Sequence, residues 1–128
     1  MRFITPRKAA QGLGASGTGT EHHWFMTVSA VGLAILTPAF LLVVGSAIGL
    51  PREGVLAYFG RPYPAVVTGL FLIVGMVHFM RGTRIMIDDY LHGTARKAGL
   101  IAASVFGWAV VAFAVYALAR MALAAPLN

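Results

Sequence analysis

Three residues near the middle of the chain have types and a spacing suited to chemistry: His78, Asp89 and Tyr90. They lie in HFMRGTRIMIDDYLHG, residues 78–93, at the end of a long apolar run. An imidazole can bind a metal, hydrogen-bond in either direction or carry a proton. A carboxylate can hold or relay protons, and a phenol can donate to a carbonyl oxygen. At roughly 100° per residue, the step from His78 to Asp89 turns a helix through about 1100°, which leaves an offset of only about 20°. On a continuous helix Asp89 therefore shares a side with His78, about 16 Å further along the axis. Tyr90 follows directly.

Each residue also has an ordinary explanation. An imidazole inside hydrocarbon is costly without a partner. His78 can meet that need by bonding a neighbouring helix, lining a proton path or sitting at the membrane interface. Gly75 at i−3 and Gly82 at i+4 lie on the His78 face. They leave space beside the ring for a flat macrocycle bonded to it, or simply for another helix to come close. Tyr90 suits an aromatic belt at the membrane surface. Asp88 and Asp89 have Arg81, Arg84 and Arg96 within reach as solvated ion-pair partners.

The elements that must position these residues follow from composition. Of 128 residues, 59% are hydrophobic and 11% charged, too apolar a balance for a soluble domain of this size. Three runs carry the excess: residues 25–50, 63–80 and 98–125. Each supplies the roughly 20 residues a spanning helix needs, and in lipid a span must satisfy its own backbone hydrogen bonds. The fold class is an all-α membrane protein with three transmembrane helices, short loops and a basic N-terminal tail. Residues 1–24 read as a cytoplasmic tail and interfacial lead-in, and residues 25–125 as a three-helix membrane domain, with spans at about 25–50, 63–87 and 98–122. Pro38 should kink the first span. VLAYF, between PREG and GRPYP, suits a brief interfacial turn of helix, and HGTARKAG at 92–99 reads as the second connection. Ala102, Ala103, Gly107, Ala112 and Ala114 suit close helix packing in the third span.

The net charge of +6 is a topology signal and no mark of nucleic-acid binding. Arg2, Arg7, Lys8, Arg81, Arg84, Arg96 and Lys97 fall on one side of a three-span arrangement, and Arg52, Arg61 and Arg120 on the other. The richer side, with the N-terminus, is expected in the cytoplasm. The chain has no cysteine, so it can form neither a disulfide nor a thiolate metal site. The first apolar run starts late and is too long for the core of a signal peptide.

HFMRGTRIMIDDY resembles the signature of the hydrophobic membrane anchor subunits of succinate dehydrogenase, respiratory complex II. That signature has a His, a Gly four residues on, and Asp-Tyr eleven and twelve residues after the His; here these are His78, Gly82, Asp89 and Tyr90. SGTGTEHHW at 16–24 resembles the stretch ahead of that family's first span, and size and span number agree. The resemblance implies that His78 is one axial ligand of a b-type haem iron, the second coming from a cytochrome b556 anchor subunit. It implies that Tyr90 hydrogen-bonds the head group of ubiquinone, the substrate, with Asp89 beside that pocket. It also implies an iron–sulfur subunit and a flavoprotein subunit as partners in the membrane lipid, and a multi-pass location in a bacterial cytoplasmic (inner) membrane rather than a mitochondrial one. The family often has an arginine early in the first span, near the haem propionates. MTVSA at 26–30 has none, which leaves propionate pairing to His22, His23 or a partner chain.

Of the four histidines, His22, His23 and His92 fall near membrane surfaces and are badly placed as axial partners of His78, so a bis-histidine haem site needs a second subunit. The chain also has no flavin motif and no dicarboxylate site, so succinate chemistry must lie on other subunits. Competing readings are the anchor of a fumarate reductase and a haem-free subunit for proton conduction or assembly. A Soret band in the purified complex separates the haem readings from the last.

Overall fold

The computed structural model describes residues 3–12 and 19–124. Arg2 and residues 16–18 of the lead-in motif lie outside the described residues. Five helices follow one another: α1 Pro6–Gln11, α2 Gly19–Ala47, α3 Arg52–Phe59, α4 Pro62–Tyr90 and α5 Gly93–Ala124. There is no strand among the described residues. The tail thus contains a helical turn and a half. Thr5 caps it by accepting from the Lys8 N–H at 3.3 Å, and Pro6 takes the first helical position, where no N–H is needed. Every α1 side chain is exposed.

α2, α4 and α5 are each long and apolar enough to cross a membrane, and the chain is a multi-pass membrane protein. α2 runs on through Pro38. Proline lacks the N–H that would reach the Ala34 carbonyl, and the Thr37 hydroxyl donates to the Leu33 carbonyl at 2.6 Å beside it. After α2 the chain turns at Gly49, whose φ of 85° is open to glycine at little cost. Pro51 then starts α3, and Pro62 occupies the first turn of α4. α4 and α5 are joined by Leu91 and His92 alone, a link so short that the two helices must be antiparallel neighbours. The second connection is therefore shorter than the segment 92–99, and Arg96 and Lys97 belong to the beginning of α5.

α4 is the middle of the assembly. It packs on α2 and on α5, while the backbones of α2 and α5 do not come close to each other. The three helices form a layer, with the two partners on opposite flanks of α4. On one flank Phe40 of α2 stacks on Phe71 of α4, with ring centroids 4.1 Å apart. On the other, Phe79 meets Phe106 of α5 edge-on at 6.3 Å. Gly107 is buried against Met80, so tightly that a Cβ there would meet the Met80 side chain. Of the small residues in α5 it alone is buried; Ala102 and Ala112 are exposed.

Burial is inverted relative to a soluble protein. Large apolar residues such as Ile35, Leu42, Ile101 and Phe113 face outward, while Ser29 and Thr68 are among the few buried side chains. Lipid solvates the apolar ones as well as a protein core does, and polar groups gain by turning inward. The N-terminus of α2, the α4–α5 link and the basic residues Arg81, Arg84, Arg96 and Lys97 share one end of the layer. Arg52, Arg61 and Arg120 lie toward the other.

Candidate functional site

α4 is unbroken from Pro62 to Tyr90, so it carries all three residues singled out above. His78 faces α2. Its Nδ1 lies 2.8 Å from the Ser29 hydroxyl oxygen, and Ser29 is buried with 7% of its surface exposed. The same hydroxyl lies 2.6 Å from the Phe25 carbonyl and 3.2 Å from that of Met26. A hydroxyl has one proton to donate. The 2.6 Å contact needs it, because two oxygens so close would otherwise repel. Ser29 then accepts from His78, and the imidazole proton sits on Nδ1. Nε2 is left with a lone pair, the form in which a histidine ligates a metal.

The glycines beside His78 serve the approach of α2. A Cβ on Gly75 would stand 3.7 Å from Leu33, and one on Gly82 would stand 3.6 Å from Met26. The space they leave within this chain is filled by those side chains. A planar group bonded to His78 would need room on a side of the ring turned away from α2.

Because α4 is continuous, Asp89 keeps the small angular offset from His78, whereas Tyr90 is turned about 120° away on the helix. The Tyr90 side chain is 79% exposed, and Asp89 is exposed too. The two are adjacent at the basic end of the layer, with surfaces open to another chain. Asp88 has a different role. It accepts from Arg96 at 2.7 Å and lies 3.9 Å from Arg84. Of the two carboxylates, Asp88 ties α4 to α5, and Asp89 has no ion-pair partner among the described residues.

An open cleft of ≈ 420 Å³ lies at this end, lined by His22, Arg81, Arg84, Ile85 and Asp88. The Nε2 of His22 is buried and has no hydrogen-bond partner among the described residues. Arg81, one turn beyond His78, lies over the Phe25 ring, 3.7 Å from its centre. This cation–π contact brings a guanidinium from α4 to the beginning of α2, the region that has no arginine of its own. Among the described residues there is no cluster of three or more His, Asp or Glu able to hold a metal.

Ser29 does not stand out in the sequence. It is one small polar residue in an apolar run, and its distance along the chain from His78 hides the pairing. The available signal is that a buried histidine requires a partner somewhere in the neighbouring spans.

Residues 1–118 match the family described as the succinate dehydrogenase/fumarate reductase transmembrane subunit. The chain is 67% identical over 125 residues to the succinate dehydrogenase hydrophobic membrane anchor subunit of Paracoccus denitrificans, covering 98% of this chain and 97% of that one. No solved structure matches the chain.

Proposed function

The chain belongs to the succinate dehydrogenase/fumarate reductase transmembrane subunit family, and on that premise we propose that it anchors a succinate dehydrogenase in the bacterial inner membrane, N-terminus in the cytoplasm. In this reading residues 1–24 form the cytoplasmic tail and lead-in, and residues 25–125 the anchor domain. The domain supplies one axial ligand to a b-type haem and part of a ubiquinone site, and docks the iron–sulfur and flavoprotein subunits. The observation that carries the haem assignment is the Ser29–His78 contact, which leaves Nε2 free as a donor. His22 and Arg81 fit the same group. An orphaned buried nitrogen and a guanidinium one turn beyond His78 are donors suited to propionate oxygens. The haem, when bound, supplies one-electron redox chemistry at an iron whose second histidine comes from the cytochrome b556 anchor subunit.

This chain's own residues divide the remaining work. His78 holds the iron through Nε2. Tyr90 donates its phenolic proton to a quinone carbonyl, a bond that strengthens as negative charge develops on that oxygen. Asp89, adjacent and without an ion-pair partner among the described residues, holds or relays a proton taken up on reduction. Asp88 keeps the end of α4 against the beginning of α5, which fixes where Tyr90 emerges. The exposed surfaces of Tyr90 and Asp89 suit a pocket completed by partner chains.

His78→Leu in the assembled complex tests the assignment. Loss or alteration of the low-spin b-type spectrum is the expected result, because imidazole provides one of the two axial bonds. An unchanged spectrum and midpoint potential would remove His78 as a ligand. A purified complex without any Soret band would favour the haem-free reading.

A further inference from the structure

We infer that Ser29 is a positioning residue for the haem iron: its hydroxyl fixes the tautomer and the ring plane of His78 and sets the electron donation of the Nε2 ligand. The inference rests on the reading of His78 as an axial ligand and goes beyond it by assigning a partner on a different helix.

The geometry makes a directed chain. The Ser29 hydroxyl donates to the Phe25 carbonyl at 2.6 Å and lies 2.8 Å from His78 Nδ1, so with its one proton committed it accepts from the ring. A serine in a helix commonly bonds the carbonyl four residues back, so its proton is committed within α2. Its oxygen is left as an acceptor only. A hydroxyl oxygen whose own proton is donated is a better acceptor, since bonds in such a chain polarise one another. The low exposure of Ser29 keeps bulk water from competing for the same oxygen.

Two consequences reach the iron. First, the ring proton is held on Nδ1, so Nε2 presents its lone pair before any iron arrives. The opposite tautomer cannot ligate and would leave the Ser29 oxygen facing another lone pair. Second, a metal-bound imidazole that donates its other N–H is a more basic ligand and is held in one orientation. Greater basicity favours ferric over ferrous iron. α2 and α4 thereby act together on one ligand: α4 supplies the imidazole, α2 aims it, and the packing of Leu33 on Gly75 and Met26 on Gly82 holds the register on either side of the contact.

The test uses the assembled complex carrying Ser29→Ala, with Ser29→Thr as the conservative variant and His78→Leu as the reference. Ser29→Ala removes one oxygen and adds no bulk. The readouts are the haem midpoint potential and the low-spin ferric g values. The ferric preference weakens by the difference in hydrogen-bond strength between the two redox states, at most the roughly tenfold that a whole neutral hydrogen bond represents, so the potential shifts upward by no more than about 60 mV at 59 mV per tenfold for one electron. The g values should shift as the imidazole plane is released, and Ser29→Thr should restore both. A Ser29→Ala complex with unaltered potential and g values, in a series where His78→Leu abolishes the low-spin spectrum, overturns the role of Ser29 and leaves the ligand assignment standing. An unchanged spectrum in His78→Leu overturns both. An altered potential that Ser29→Thr restores, and that Ser29→Val, of the same shape as threonine without the hydroxyl, does not, is the supporting result; rescue by both would mean that the serine only fills space and would overturn the inference.

Discussion

On the proposed reading, removing the Tyr90 hydroxyl should separate quinone binding from the rest of what this chain does. Tyr90→Phe keeps the ring and deletes one oxygen. The side chain is 79% exposed and its phenol makes no bond within the described residues, so the helix layer loses almost nothing; a surface change of this kind stays within about 0.5 kcal/mol. A neutral hydrogen bond to a quinone carbonyl contributes about 0.5–1.5 kcal/mol, which corresponds to roughly a two- to tenfold loss in kcat/KM for quinone. The loss is larger if the bond tightens as charge develops on the oxygen. The assay compares succinate-to-quinone turnover with succinate oxidation by a soluble dye that takes electrons upstream. The first should fall by that factor while the second is unchanged. Asp89→Asn should show the same split, since the amide cannot take up a proton. Full quinone turnover in both variants would reduce Tyr90 to an interfacial anchor and Asp89 to a surface charge. Loss of the dye activity as well would mean that assembly had failed.

Further outcomes follow from the layer and its charge distribution. A reporter fused after residue 128 should behave as periplasmic, since seven of the ten Lys and Arg residues fall on the side of the N-terminus; a cytoplasmic signal would invert the topology and move Tyr90 to the other side. Gly107→Val should weaken α4–α5 packing by about 1–3 kcal/mol through overpacking against Met80, read as a lower thermal midpoint of the detergent-purified complex. Gly45→Val, at a position with nothing within 4 Å of a built Cβ, should leave that midpoint much less changed.

Much of the architecture was legible in the residues alone. Three apolar runs imply three helices because hydrocarbon offers backbone groups no other partner. The distribution of Lys and Arg points to an orientation, and the helical period puts Asp89 on the His78 side before any coordinates are known. The family, too, could be read from His78, Gly82, Asp89 and Tyr90. Helix ends were less clear. α5 starts at Gly93 rather than near residue 98, because a polar segment beside the membrane can extend a helix as easily as form a loop. Tertiary structure decided the rest. It set α4 between α2 and α5, put Ser29 against His78, filled the flanks of Gly75 and Gly82 with Leu33 and Met26, and gave Arg96 to Asp88 rather than Asp89. These choices depend on the register between helices. In lipid, apolar faces have no strong preference for one another over acyl chains. The register therefore rests on a few close contacts, such as Gly107 on Met80 and Ser29 on His78, whose members lie far apart in the chain and leave no local pattern to read.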